Sequence, residues 1–142
     1  MSKVQRSVEK FQSGKNCSQS IFSTYGPDYG LSQADCMRIS SGFGGGMRKA
    51  EVCGAVTGAI MTLGLQLDLE DHTDASKESV NDKVLEFESK FEHQCGSLIC
   101  RELVGFDIST DQGRQEASAK GAFTSVCPEL VRVSAEILEE II

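Results

Sequence analysis

An all-α fold is predicted by three observations. Apolar residues recur at helical spacing, most clearly at Val80, Val84, Phe87 and Phe91, whose intervals are 4, 3 and 4. Only two prolines occur, Pro27 and Pro128, in a chain rich in the helix formers Ala, Leu, Glu and Gln. No stretch sustains the alternation of a strand, and no internal repeat is visible. With 142 residues the chain is long enough to bury a core without staples. The expectation is a single compact domain over residues 1–142, with about five to seven helices around a central Gly/Ala-rich one.

Taken in order, Val4, Val8 and Phe11 mark a first helix over about Val4 to Ser13, ended by Gly14. Asn16 reads as the N-cap of a second, which carries Cys17 in its first turn and reaches Tyr25. Gly26-Pro27-Asp28-Tyr29-Gly30 is a turn, and Ser32 caps a short helix through Cys36 and Ile39. Four of the five residues from Gly42 to Gly46 are glycine, which suits a tight path with positive φ. The central helix follows, with Cys53 in its early turns. Gly54 and Gly58 share one of its faces, which lets another backbone come close. Each glycine costs about 1 kcal/mol relative to alanine, so the close contact is expected to be used. The expected neighbour is a helix carrying a second cysteine.

From Leu67 to Asn81 the chain is acidic and reads as a solvated connection, within which Asp74 or Ser76 can cap the amphipathic helix. Gly96 interrupts that helix, Ser97 caps a short one over Leu98 to Val104, and Gly105 closes it. Phe106 to Lys120 is polar, with at most a loose helical turn. The last helix starts at Pro128, a residue favoured at the first helical position.

The net charge of −7 and the pI near 4.8 argue against nucleic acid and against an anionic membrane surface as partners. The apolar run from Val52 to Leu67 falls short of the roughly 20 residues of a membrane span. The N-terminal residues carry no apolar signal core, so a cytoplasmic protein is expected. Six cysteines in such a chain point to redox chemistry or metal binding rather than to a disulfide framework.

Four of the six fall at expected helix starts. Cys17 follows the cap Asn16, Cys53 follows Arg48 and Lys49, Cys100 follows Ser97 and precedes Arg101, and Cys127 precedes Pro128. Free N–H groups and the positive end of the dipole favour thiolate, which is both the nucleophile and the metal ligand. Buried cysteine is also a common small hydrophobe, so packing is the competing reading at each position. Cys36, inside an apolar helix, reads as packing. Cys95 reads as structural, with a resolving thiol as the other option. No C-x-x-C occurs, so the four cysteines can meet only through the fold, as a disulfide pair, a tetrathiolate metal site or an iron–sulfur cluster. His72 reads as solvated and His93 as an ordinary partly exposed side chain. The glycine loop lacks the ending of a phosphate-binding P-loop, and Arg48 and Lys49 are a weak signal for an anion.

These residues resemble a family. Asn16-Cys17-Ser18-Gln19, the loop Gly42-Phe43-Gly44-Gly45-Gly46, Cys53-Gly54-Ala55-Val56-Thr57-Gly58, Cys100-Arg101-Glu102-Leu103-Val104-Gly105 and Cys127 are similar to the pattern of the C_GCAxxG_C_C family. Its members are small bacterial and archaeal proteins to which redox activity is ascribed. The resemblance runs from about Phe11 to Val133 and implies that Cys17, Cys53, Cys100 and Cys127 are the family cysteines. Cys36 and Cys95 lie outside it. Ala50-Glu51-Val52 departs from the small residues expected before Cys53. A related domain in some multihaem cytochromes implies an iron–sulfur centre as an alternative, although no haem-attachment C-x-x-C-H occurs here.

The leading expectation is a thiol redox protein with Cys53 as central thiol and Cys17, Cys100 and Cys127 as partners. The same four residues are the ligands in the alternative, an iron–sulfur cluster or metal site. A helical interaction module with packing cysteines is the third reading. The redox partner or small-molecule substrate is not named by the residues, and the Gly54–Gly58 face could pack within the chain or across a homodimer.

Overall fold

The computed structural model describes residues 1–142. It contains nine α-helices and no extended sheet: α1 (Lys3–Gln12), α2 (Cys17–Tyr25), α3 (Gln33–Ile39), α4 (Gly54–Leu67), α5 (Asp74–Cys95), α6 (Cys100–Val104), α7 (Asp111–Ala119), α8 (Ala122–Ser125) and α9 (Cys127–Ile141). Local chemistry sets most boundaries. Ser2 and Asn16 each form a capping box, with Gln5 and Gln19 respectively, so α1 and α2 start where side chains satisfy their free N–H groups. Ser32 caps α3 and Thr73 caps α5. Gly96 and Gly105 end α5 and α6 at φ 92° and 87°.

Helix α4 is the centre of the main core. Ile21 and Tyr25 of α2, Val56 and Leu63 of α4, Phe87 and Phe91 of α5, and Val131 and Leu138 of α9 are buried together. The Phe87 and Phe91 rings stack at 5.9 Å. Two buried hydrogen bonds fix α9 against its neighbours. Ser134 Oγ donates to Ala55 O at 2.7 Å, and Tyr25 Oη donates to Ala135 O at 3.2 Å. A smaller apolar cluster joins Ala50, Cys100, Val104, Ala117, Ala122 and Cys127. Phe11 and Cys17 touch both clusters.

The Gly54–Gly58 face receives α2, the helix that begins with Cys17. A methyl group on Gly54 would stand 2.9 Å from Cys17 Cβ, and one on Gly58 would stand 2.8 Å from Ser18 O. The contact is therefore within the chain, and this face is not free for a dimer.

Several expectations need correction. Cys53 is the residue capping α4, not part of its early turns. The acidic connection is short, because α5 begins at Asp74 behind the Thr73 cap. The helix expected from Leu98 begins at Cys100, since Ile99 is extended and pairs with Val52. The stretch from Phe106 to Lys120, expected to be loose, contains a complete helix, α7, and the short α8 follows it; these two take the count beyond five to seven. Thr110 caps α7 by accepting from Gly113 N–H, and its buried face consists of Gly113 and Ala117, too small to register as apolar periodicity. Helix α9 begins one residue before Pro128, at Cys127.

Candidate functional site

The glycine loop positions the site through its backbone. Gly45 and Gly46 have φ of 61° and 59°, as glycine allows, but Met47, Arg48 and Ala50 also have positive φ, at 57°, 66° and 55°. The chain therefore makes a left-handed turn over Gly46–Ala50, closed by Glu51 N–H donating to Gly46 O at 3.1 Å. Such a path is costly for non-glycine residues and needs outside support. Arg101 supplies it: its guanidinium donates to Lys49 O at 3.3 Å, to Ala50 O at 3.1 Å and to Glu51 Oε1 at 3.0 Å. Asn16 holds the other side, donating to Ser41 O at 3.1 Å while its Oδ1 accepts from Gln19 N–H at 2.8 Å.

Past the turn, Glu51-Val52-Cys53 lies antiparallel to Leu98-Ile99-Cys100. Val52 pairs with Ile99, Cys53 N–H donates to Leu98 O at 2.9 Å, and Cys100 N–H donates to Glu51 O. This short bridge sets Cys53 opposite Leu98 and Cys100 opposite Glu51, so the two cysteines share one face at diagonal positions. It also accounts for the departure at Ala50-Glu51-Val52: Glu51 pairs with Arg101, and the β-branched Val52 suits extended backbone.

Four cysteines line one cavity of about 90 Å³ at the seam between the two apolar clusters: Cys17 from the start of α2, Cys53 from the start of α4, Cys100 from the start of α6 and Cys127 from the start of α9. Phe11, Asn16, Gly45, Gly46, Gly54, Val104, Ile108, Phe123 and Leu130 complete its wall. Cys53, Cys100 and Cys127 are 3 %, 6 % and 6 % exposed, and Cys17 is half-buried. All six cysteines are free thiols.

The helix-start argument treats these thiols alike; their surroundings do not. Cys17 beside it in the cavity, together with Ala55 and Val56 N–H at the open end of α4, holds the Cys53 thiol below its ordinary value against the cost of burial. Cys17 is raised well above its ordinary value, first by its contact with Cys127, then by that with Cys53, then by burial. Burial pushes Cys100 up to about 12, with Cys53 and Cys127 adding to it and Arg101 opposing weakly. Arg48 and Lys49 are exposed and are not among the causes at Cys53.

Cys36 and Cys95 stand outside the cavity wall. Cys36 is fully buried against Gly26, and Cys95 ends α5 against the main core. His72 and His93 are exposed, and neither lines the cavity. Sequence reading missed the apolar wall. Phe11, Ile108 and Phe123 come from three separate segments, and the latter two lie in or beyond the stretch read as polar, so no spacing links them. No group of three or more Cys, His, Asp or Glu side chains stands as the ligands of a metal ion do.

A family model described as "Putative redox-active protein (C_GCAxxG_C_C)" matches residues 15–141, a span that includes all four cavity cysteines. No curated protein and no solved structure matches the chain.

Proposed function

The chain belongs to the C_GCAxxG_C_C family, and from that premise we propose that it is a cytoplasmic thiol redox protein in which Cys53 attacks and Cys17 resolves. The observation that carries this reading is that Cys17 and Cys53 share one cavity wall, with Cys17 packed on Gly54, the residue next to Cys53, and with the charge favoured on Cys53. The thiolate of Cys53 attacks one sulfur of an oxidised substrate disulfide. A Cys53–substrate mixed disulfide forms, the substrate S–S bond breaks, and the first thiolate leaves. The Cys17 sulfur then attacks Cys53, its proton going to the departing thiol. The Cys17–Cys53 disulfide forms and the second substrate thiol is released. Two electrons have passed from the protein to the substrate. Cys100 and Cys127 surround the pair; burial keeps Cys100 protonated, so it does not compete for the charge. No helix is long and apolar enough to cross a membrane.

The test is a thiol count, visible spectrum and metal analysis on protein purified without oxygen. A colourless, metal-free protein that reversibly loses and regains two thiols, with the disulfide mapped to Cys17 and Cys53, is expected. Cys53→Ala is expected to abolish the change. Iron and sulfide near stoichiometry, lost when any one of the four cysteines is replaced, would instead make this a cluster protein held by Cys17, Cys53, Cys100 and Cys127.

A further inference from the structure

The dithiol reading names no substrate, but the cavity wall restricts it. Apart from its four sulfurs, the wall is built of Phe11, Val104, Ile108, Phe123, Leu130 and glycine backbone, with no Asp, Glu, Lys, Arg or His side chain. Asn16 supplies the one side-chain amide, and both ends of it are engaged: Oδ1 accepts from Gln19 N–H, and Nδ2 donates to Ser41 O and Ser40 O. A charged group drawn towards Cys53 finds no partner to replace its water, which is costly in an apolar surrounding. Size restricts the substrate too. The cavity of about 90 Å³ is smaller than the ~150 Å³ apolar cavity that accepts benzene.

Resting on the dithiol reading, we infer that the substrate is a disulfide whose reacting end is compact and uncharged, a small alkyl disulfide in chemical class. Charged disulfides of similar length are turned away by the wall. With methyl disulfide, the Cys53 thiolate breaks the S–S bond, forms Cys53–S–S–CH3 and releases methanethiolate. Cys17 then attacks Cys53, and its proton leaves with the second methanethiol. One disulfide is reduced and the protein dithiol is oxidised.

The experiment follows formation of the Cys17–Cys53 disulfide in the reduced full-length protein by mass spectrometry. Three probes are compared: methyl disulfide, the dication cystamine and the dianion of 3,3′-dithiodipropionate. Each rate is divided by the rate of the same probe with 2-mercaptoethanol, whose only charge is the reacting thiolate, which removes intrinsic reactivity. The expected result is a referenced rate for methyl disulfide about 100-fold above both charged probes, because each charge would lose its hydration unpaired. The net charge of −7 attracts cystamine at long range, so its slowness would reflect the cavity and not the encounter. A charged probe within about threefold of methyl disulfide would overturn the inference while leaving the dithiol reading intact. If none of the three forms the disulfide, the dithiol reading falls and the inference with it.

A second measurement addresses size. Phe123 lies half-buried on the wall, and Phe123→Ala is expected to raise the ratio of dipropyl to methyl disulfide rates about 10-fold. An unchanged ratio would show that the wall does not select by size.

Discussion

Cys17 and Cys100 each occupy the first residue of a helix, where the dipole alone would lower both thiols, yet both are raised. In a shared, poorly hydrated cavity one thiolate makes the next less favourable, so the charge settles where most donors converge. That place is Cys53, which has Cys17 and two backbone N–H groups facing it. Removing the first of these donors should therefore move the titration. Cys17→Ala is expected to shift the pH midpoint of Cys53 modification by methyl methanethiosulfonate upwards, towards the ordinary thiol value near 8.5. An unmoved midpoint would show that Cys17 does not stabilise the thiolate. Cys100 predicts the opposite sign in stability. Its folded value of about 12 lies above the unfolded one, so between the two the folded state holds the proton more tightly. Stability is then fully present below the unfolded value and is lost as pH rises towards 12, with a slope of at most about 1.4 kcal/mol per pH unit for one proton. Urea midpoints of reduced protein across this window should fall, and Cys100→Ala should flatten the fall.

At the scale of elements, the α2–α4 contact decides whether the proposed pair can form. Gly54 lies under Cys17 itself, whereas Gly58 lies one turn further along, under Ser18 and Ile21. Alanine at either position overfills a close packing and should cost about 1–3 kcal/mol. Only Gly54→Ala pushes directly on Cys17 Cβ. It is expected to slow Cys17–Cys53 disulfide formation more than Gly58→Ala does at similar loss of stability. Equal slowing in the two variants would separate the glycine face from the chemistry. The left-handed turn belongs to the same scale. Three non-glycine residues keep positive φ there because Arg101 holds the Lys49 and Ala50 carbonyls at its end and Asn16 anchors the Ser41 carbonyl ahead of it. Arg101 thus acts on the turn rather than chiefly on its neighbour Cys100.

The whole molecule has two apolar clusters, and the proposed dithiol sits at their seam. The segment from Cys17 to Cys53 contains α2, α3 and the glycine turn. A disulfide across it would restrain a large part of the unfolded chain. Oxidation should therefore raise stability by about 2–4 kcal/mol, read as a higher urea midpoint with the reduced protein as reference. A midpoint that stays level or falls on oxidation would mean that the bond distorts the fold.

Much of this was legible in residues taken a few at a time. Caps at Asn16 and Ser32, glycine stops at Gly96 and Gly105, and the 4, 3, 4 spacing from Val80 to Phe91 are local signals, and local signals set helices. The glycines at 54 and 58 even announced a close helix carrying a cysteine, because a face without side chains has few other uses. Helix α7 stayed hidden because its buried residues are Gly113 and Ala117, which carry almost no hydrophobic signal. What tertiary structure alone decided is the site itself. The bridge between Val52 and Ile99, the apolar wall drawn from separate segments, and the unequal ionisation of similar thiols all depend on groups far apart in the chain. A cysteine's position in the sequence sets its place on a helix, but its charge is set by the sulfurs and N–H groups that folding brings around it.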